Sequence, residues 1–166
     1  MTEISQCSDI EYMRLALEEA KQAAAADEVP IGAIVVRDGV IVARSRNTRE
    51  RNHDPAGHAE FTAMLEAAAT QDTWRLSGCT VYVTLEPCIM CAGLMHQARI
   101  DRCVYGAPDP KAGALGSLYA IHQDDRLNHT FEVSSGILEE ECAQLLKDFF
   151  AAKREQNKTK KKDSLS

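Results

Sequence analysis

At Leu85-Glu86-Pro87-Cys88-Ile89-Met90-Cys91 an apolar strand gives way to a helix, and this stretch decides the fold. The run that ends there, Thr80 to Leu85, is rich in the β-branched and aromatic residues that favour strands. Pro87 suits the first turn of a helix, because the N–H that it lacks would have no partner there. Cys88 and Cys91 follow three residues apart, so both thiols lie on one face at the start of the helix. The stretch predicts a strand that carries two cysteines to the carboxyl edge of an α/β sheet.

Helix and strand patterns alternate along the rest of the chain. Apolar residues at helical spacing follow Ser8, which forms a capping-box pattern with Glu11 and predicts a helix start. Asp38-Gly39 separates two apolar runs and predicts a β-hairpin, since glycine accepts the positive φ of such turns. The predicted strands are Ile31–Val36, Val40–Ala43, Thr80–Leu85, Arg102–Gly106 and Thr130–Ser134, and the later helices are His58–Ala69, Cys88–Ala98 and Leu138–Lys153. This order predicts the α/β class, as a three-layer α/β/α sandwich with a central mixed five-stranded sheet.

Composition places the chain among ordinary globular proteins. Its 166 residues are 45% hydrophobic and 27% charged, which is enough for one domain with a single core. No apolar run approaches the roughly 20 residues that cross a bilayer, and residues 1–10 lack the apolar stretch of a secretory signal. These features predict a cytoplasmic protein with no membrane partner. In a reducing compartment, closely spaced cysteines such as Cys88 and Cys91 more often bind metal or do redox work than form structural disulfides.

Charge is unevenly distributed along the chain. The net charge is −6, but residues 151–166 carry six lysines or arginines against two acids, which leaves +4 at this end and −10 elsewhere. A basic end on an acidic body is compatible with contact to phosphate groups. The polar composition of residues 157–166 favours a disordered basic tail, so the predicted folded domain spans residues 1–156.

The residues that carry chemistry fall into two short stretches. His58 offers one imidazole, and Cys88 and Cys91 offer two thiolates, a ligand set that suits Zn²⁺. Catalytic zinc sites typically have three protein ligands and leave the fourth position to water, whereas structural sites close with a fourth Cys or His. Glu60 then remains free to move protons. The sequence predicts one catalytic Zn²⁺ per subunit, held by His58, Cys88 and Cys91, with Glu60 beside it.

The spacing of His58 and Glu60 sets a geometric condition on this site. Residues two apart on a helix point to opposite sides, so both can serve one site only if it lies off the end of the helix. Two helix N-termini that converge on the metal would satisfy this condition, and their unpaired N–H groups would favour the thiolates. Zinc bonds are about 2.0–2.3 Å long, so shared ligation requires the imidazole nitrogen to lie within about 4 Å of each sulfur.

Together these motifs resemble those of the bacterial tRNA-specific adenosine deaminases, within the cytidine deaminase-like superfamily. An H-x-E motif followed by P-C-x-x-C is by itself typical of zinc-dependent base deaminases. The loop over residues 111–117 and the C-terminal helix narrow the resemblance to the tRNA enzymes. The likeness covers nearly the whole chain, through residues 28–33, 53–55, 58–60, 82–93, 111–117, 128–129 and 136–138.

The resemblance implies an activity and a set of substrate contacts. Members of this family convert adenosine to inosine at the first anticodon position of tRNA, chiefly an arginine tRNA, and they are homodimers. Residues 1–156 would then form a zinc-dependent deaminase domain with a cytidine deaminase-like fold. By position, Asn47 would hydrogen-bond the flipped adenine in a pocket shaped by Val29, Pro30 and Ala59. The contacts to flanking nucleotides of the tRNA anticodon stem-loop would fall to Asp109, Asn128, Phe150 and Arg154.

The expected reaction is a hydrolytic deamination. Zinc would lower the pKa of its water to about 7 and supply hydroxide for attack at C6. Glu60 would take the water proton and deliver it to the ring nitrogen and then to the departing amine. A base in an RNA loop suits this chemistry, because it can be splayed into a pocket without breaking a duplex.

Three alternative functions are consistent with parts of the pattern. The first is a zinc deaminase of a free nucleobase or nucleoside such as cytosine, cytidine or guanine, which the basic C-terminal end disfavours. The second is a silent RNA-binding subunit, which would be expected to lack Glu60. The third is a structural zinc module, which would need a fourth protein ligand.

Overall fold

A computed structural model of the chain describes the backbone of residues 2–165 and the side chains of residues 8–165. In chain order the elements are α1 (Thr2–Ala25), β1 (Gly32–Arg37), β2 (Val40–Arg46), α2 (Ala59–Thr70), β3 (Cys79–Leu85), α3 (Ile89–Ala98), β4 (Arg102–Ala107), a 3₁₀ turn (Ile121–Gln123), β5 (Glu132–Ser134) and α4 (Glu139–Leu165). The strands form one five-stranded sheet in the order β2-β1-β3-β4-β5. β1 runs antiparallel to β2 and β3, whereas β3, β4 and β5 run parallel. The predicted mixed sheet of five strands is confirmed.

Helices cover both faces of this sheet and make the three-layer sandwich. On one face α1 and α4 pack against the strands, and Met13 and Ile34 belong to the apolar cluster there. On the other face α2 and α3 enclose a second cluster, which contains Val35, Met64 and Met95. Ile34 and Val35 are neighbours in β1 and enter different clusters, because successive side chains of a strand point to opposite faces. Burying each such aliphatic side chain stabilises the fold by roughly 1.5–3 kcal/mol.

The hairpin between β1 and β2 closes where the sequence predicts it. Asp38 and Gly39 have φ angles of 51° and 75°. Positive φ at both central residues is the geometry of a type I′ turn, whose twist matches that of the strands it joins. The hydroxyl of Tyr12 donates a hydrogen bond to the carbonyl of Gly39 at 3.1 Å, which attaches the turn to α1.

Two helices differ in extent from the sequence prediction. α1 begins at Thr2, so Ser8 lies inside the helix and the capping-box prediction is wrong. No glycine or proline precedes Ser8 to end the helix there. α4 continues to Leu165, beyond the predicted end at Lys153, and residues 157–165 are exposed but helical. Residues 139–165 contain no glycine or proline and are rich in Glu, Gln, Lys and Ala, all of which favour helix. The division of the chain at residue 156 stays a prediction.

The topology brings the starts of two helices to one edge of the sheet. β3 and β4 end side by side, and the N–H of Glu86 donates to the carbonyl of Ala107 at 2.8 Å. α3 begins directly after β3, and α2 packs beside α3 on the same face. Open α/β sheets characteristically bind ligands at this edge. Within residues 2–165, no helix has the length and apolar character that a bilayer span requires.

Candidate active site and metal centre

The three ligands predicted from the sequence meet beyond the carboxyl end of β3. The Nδ1 atom of His58 lies 3.5 Å from the sulfur of Cys88 and 3.4 Å from the sulfur of Cys91. All three ligand atoms lie within 4.8 Å of one another. A tetrahedral zinc ion with Zn–N bonds of about 2.0 Å and Zn–S bonds of about 2.3 Å separates nitrogen from sulfur by about 3.5 Å. The donor set and its spacing therefore fit Zn²⁺.

Both helices meet this site with their N-termini. His58 immediately precedes α2 and Cys88 immediately precedes α3, and both have extended backbone, with φ and ψ of −85° and 144° for His58 and of −76° and 177° for Cys88. Because His58 is not helical, its ring can reach the same site as Glu60 two residues later. The geometric condition set by the sequence is thus met by a site that lies off the ends of two helices.

Hydrogen bonding within the cluster separates the pKa values of the two thiols. A hydrogen bond from Cys91, helped by one from His58, lowers the pKa of Cys88 to about 4 against the opposing effect of burial. The pKa of Cys91 is raised, because its thiol donates to Cys88 and is buried. The hydrogen bond to Cys88 also raises the pKa of His58. The thiolate is the form that binds metal, so Cys88 is prepared as a ligand.

Glu60 lies beside these ligands in the first turn of α2. Its Oε1 atom is 3.7 Å from Nδ1 of His58, and the residue is 4% exposed. Burial raises the pKa of Glu60 to about 7, although a hydrogen bond with Cys91 and the charge of His58 act in the opposite direction. A carboxyl group with a pKa near neutrality can accept and donate protons with comparable ease.

A cavity of about 260 Å³ adjoins the ligands. His58, Glu60 and Cys88 form part of its lining. Among the substrate contacts implied by the resemblance, four also line it: Val29, Asn47, Asp109 and Phe150.

The other four implied contacts lie outside the lining of this cavity. Pro30 and Ala59 are buried, each next in sequence to residues that do line it. Asn128 is exposed in the connection between β4 and β5, and Arg154 is exposed on α4. The structure therefore brings Val29 and Asn47 of the implied base pocket to the cavity, whereas Pro30 and Ala59 only adjoin lining residues in sequence. Asn128 and Arg154 lie on the surface.

Asn47 is held rigidly in the cavity wall. The residue is 5% exposed, its Nδ2 donates to the carbonyl of Val29 at 3.4 Å, and its Oδ1 accepts from the N–H of Arg49 at 3.1 Å. A side-chain amide has two N–H donors and two acceptor lone pairs, so these two bonds leave one donor and one acceptor available. That remaining pair suits the edge of a nucleobase.

Sequence reasoning did not single out five further residues of the lining, namely Ile31, Arg49, Leu85, Glu86 and Ala112. Glu86 is the most informative of them, because it is a carboxylate only 3% exposed. Burial would raise its pKa, but hydrogen bonds from Ser117, Asp109 and Leu115 outweigh burial and lower it. Its position, directly after a buried strand at the ligand-binding edge of the sheet, was the signal that could have identified it.

Comparisons with known proteins show relatives over most of the chain. The family model of the MafB19-like deaminases matches residues 7–154. The chain is 47% identical over 152 residues to the tRNA-specific adenosine deaminase of Bacillus subtilis (strain 168), which covers 92% of this chain and 94% of the relative. It is 46% identical over 154 residues to the enzyme of the same name from Haemophilus influenzae, covering 92% of this chain and 89% of that one.

Solved structures show the same fold. A structure from biochemical and structural studies of A-to-I editing by tRNA:A34 deaminases at the wobble position of transfer RNA has a TM-score of 0.79 and 44% sequence identity, and covers 82% of this chain and 99% of its own. A guanine deaminase from Nitrosomonas europaea has a TM-score of 0.74 at 24% identity, which shows the common fold.

A His-Cys-Cys cluster with a buried glutamate beside it, on a sheet of this order, defines the class of deaminases with a cytidine deaminase-like fold. Within that class, the identities above resolve the family. The chain belongs to the tRNA-specific adenosine deaminases, enzymes that deaminate adenosine.

Proposed function

We propose that this enzyme is a zinc-dependent hydrolase that converts adenosine to inosine at the first anticodon position of tRNA, chiefly of an arginine tRNA. The observation that carries the proposal is the juxtaposition of His58, Cys88 and Cys91 with the buried carboxyl group of Glu60 at one cavity. Membership of the family supports adenosine in tRNA as the substrate. The resemblance of the sequence motifs supports an arginine tRNA as the main substrate.

His58, Cys88 and Cys91 would hold one Zn²⁺ per subunit through Nδ1 and two sulfurs. When bound, zinc supplies the Lewis acidity that activates water at neutral pH. The protein fixes the directions of the three ligands, because two of them precede helices and the third lies in the first turn of α3. Held in this way, the ligands need little rearrangement on binding, which favours a single coordination geometry.

Glu60 moves the protons of the reaction. Its carboxylate accepts a proton from the attacking water and donates one to the ring nitrogen, which makes C6 a better electrophile. Once the C6–O bond has formed, Glu60 takes the remaining proton from the new C6 hydroxyl and delivers it to the amine. The C6–N bond then breaks, the amine leaves as ammonia and a C6 carbonyl remains. One carboxyl group can perform both transfers, because it acts first as a base and then as an acid.

The cavity wall would receive the flipped adenine. Asn47 presents its free donor and acceptor to the base edge, and Val29 supplies apolar contact. Pro30 and Ala59 are buried and adjoin lining residues in sequence, and we assign to them a part in shaping the pocket. Asp109 and Phe150 line the cavity, and we assign them to contacts with the flanking nucleotides. We assign Asn128 and Arg154 to the outer contacts with the anticodon stem-loop.

The charge of α4 agrees with an RNA substrate. Phe150 lines the cavity, and Lys153, Arg154 and Lys158 follow it on the same helix. Lys153 forms an ion pair with Asp27 at 2.5 Å, which leaves Arg154 and the later lysines facing solvent. Basic side chains beside a nucleic-acid site attract phosphates and position them without reading sequence.

We further propose a cytoplasmic homodimer. Leu65 and Trp74 are 53% and 59% exposed, and with Leu94 they border an apolar cavity between α2 and α3. Exposed apolar side chains grouped in this way are typical of protein interfaces. The family resemblance implies that the partner is a second copy of the chain.

The deciding experiment incubates the purified, zinc-loaded protein with tRNA and sequences the product. We expect adenosine at the first anticodon position of an arginine tRNA to be read as guanosine, and metal analysis to give one zinc per subunit. Free guanine, cytosine, cytidine and adenosine are assayed in parallel. Turnover of a free base with no change in tRNA would replace this proposal with a nucleobase deaminase, whose fold the chain shares.

A further inference from the structure

Two glutamates line the cavity, and only one of them has acceptor capacity to spare. Glu60 lies next to the metal ligands, as described above. Glu86 lies directly after β3, and its two carboxylate oxygens accept four hydrogen bonds. Oε1 accepts from the N–H of Asp109 at 3.0 Å and from the hydroxyl of Ser117 at 2.5 Å. Oε2 accepts from the N–H of Leu115 at 3.2 Å and from the N–H of Ser117 at 3.0 Å.

These four bonds use up the hydrogen-bonding capacity of Glu86. An ionised carboxylate offers about four lone-pair sites. All four donors come from residues 109–117, which we call the 109–117 loop. Glu86 therefore has no acceptor site left for a substrate proton or a base edge, although it lines the cavity. Glu86 therefore differs from Glu60, because donors of the loop already occupy its two carboxylate oxygens.

The 109–117 loop is also joined to the backbone next to Glu86. The N–H of Ala114 donates to the carbonyl of Pro87 at 2.9 Å, and Gly113 forms an antiparallel bridge with Cys88. The loop thus lies along the segment that carries a metal ligand. Two of its residues, Asp109 and Ala112, line the cavity.

We propose that Glu86 is a positioning residue, which holds the 109–117 loop against the metal-ligand segment and thereby sets the places of Asp109 and Ala112 in the substrate-binding wall. That Glu86 holds the 109–117 loop is inferred from the hydrogen bonds alone. The consequence for substrate binding rests on the proposed function.

The pattern of donors requires a carboxylate and excludes an amide. In Glu86→Gln one oxygen becomes an NH₂ group, which must face either the N–H of Asp109 or the N–H groups of Leu115 and Ser117. At least one N–H group that is partly or fully buried then loses its acceptor, and a lost partner at such a donor is costly. Glu86→Ala removes the acceptors of all four bonds.

The test compares Glu86→Gln and Glu86→Ala with the unsubstituted, zinc-loaded chain. Amide hydrogen exchange is measured at Asp109, Leu115 and Ser117, together with zinc content and with kcat and KM on an anticodon stem-loop. We expect exchange to accelerate at least about tenfold at all three amides in Glu86→Ala, and at one or more of them in Glu86→Gln. We also expect KM to rise about tenfold with kcat within about threefold and zinc retained, because the loss falls on substrate binding.

Glu19→Gln is the matched control. Glu19 is also a largely buried glutamate, but its carboxylate binds Arg44 and Arg46 on β2 at 2.8 and 3.2 Å. We expect this variant to leave the exchange of the 109–117 loop and the KM unchanged. A general loss of stability would affect Glu19→Gln and Glu86→Gln alike, whereas a positioning role separates them.

Unchanged exchange at all three amides in Glu86→Gln would overturn the inference. A fall in kcat at constant KM would also overturn it, since Glu86 would then take part in the chemistry. If the chain proved inactive on tRNA, the proposed function would fail, and the exchange data would still decide the role of Glu86. If Glu86→Ala fails to fold, Glu86→Gln keeps the shape of the side chain and supplies the deciding data.

Discussion

A β-carbon on Gly113 would lie 2.2 Å from the carboxyl carbon of Glu86, far inside contact distance. The loop can therefore approach the carboxylate only because residue 113 has no side chain. Gly93, on α3, offers the contrast, since a β-carbon there would meet nothing within 4 Å. Close packing therefore requires glycine at position 113, whereas position 93 has room for a side chain.

Gly113→Ala should destabilise the protein by about 1–3 kcal/mol, because the new methyl group must displace the loop or the buried carboxylate. Gly93→Ala is the control and should be neutral or stabilising by up to about 1 kcal/mol, since alanine favours helix. Urea unfolding of the two variants measures both effects. Equal free energies of unfolding for the two variants would show that the loop can move away from Glu86 at no cost, which would contradict the tight contact described above.

His58→Ala should abolish stoichiometric zinc binding, because two thiolates alone do not complete a catalytic zinc site. Thermal stability should fall as well, since a metal that binds only the folded state stabilises that state. His53→Ala is the control. His53 is exposed in the loop before α2, and we expect the variant protein to bind zinc as the unsubstituted chain does. Metal analysis of both purified variants gives the answer, and a full complement of zinc in His58→Ala would refute the ligand assignment.

Glu60→Gln should lower turnover about 10²–10⁴-fold, the usual range for loss of a general acid–base group. Zinc content should stay at the level of the unsubstituted chain, because Glu60 is not one of the three ligands. Glu66→Gln makes the matched change at an exposed position of the same helix and should leave turnover unchanged. Substantial activity in Glu60→Gln would exclude Glu60 as the proton carrier.

Asn47→Ala should reduce kcat/KM on tRNA about tenfold or more, since it removes a fixed amide from the cavity wall. Zinc should be retained. Asn52→Ala alters an exposed asparagine in the same connection between β2 and α2 and serves as the control. If both variants have the kinetics of the unsubstituted enzyme, Asn47 does not contact the base.

Trp74→Glu should convert the proposed homodimer into a monomer, because it places a charge in the exposed apolar surface that Trp74 forms beside α2 and α3. Val40→Glu alters a residue that is also exposed, at 61%, but lies in the β1–β2 hairpin, and it should leave the dimer intact. Light scattering on a sizing column gives the mass of each variant. A monomer before substitution would reject the dimer itself.

The parts of the site that the sequence could predict are those encoded in residue type and short spacing. The cluster of His58, Cys88 and Cys91 and the Asp38-Gly39 turn are of this kind. Sequence patterns locate the end of a helix only to within one or two residues. The sequence predicts a helix from His58, whereas α2 begins at Ala59 and His58 is extended. That single residue decides whether the ring and Glu60 can share a site.

Glu86 escaped sequence reasoning for a different reason. Its partners Asp109 and Ser117 lie 23 and 31 residues further along the chain, and no local periodicity records such a contact. The role of a buried carboxylate becomes visible only when tertiary structure shows which donors surround it. The helical extension of α4 beyond Lys153 was missed for another reason. The composition of these residues is compatible both with a helix and with a solvated, disordered tail.

The parallel pairing of β4 and β5 bears on how enzymes of this kind diverge. Parallel neighbours in a sheet need a crossover that carries the chain back to its starting edge, and residues 108–131 form it here. Asp109 and Ala112 belong to that crossover, whereas His58, Cys88 and Cys91, the proposed zinc ligands, precede it. Under the proposed function, a change in the length or composition of the crossover would therefore alter contacts to the substrate without moving the proposed metal ligands along the chain.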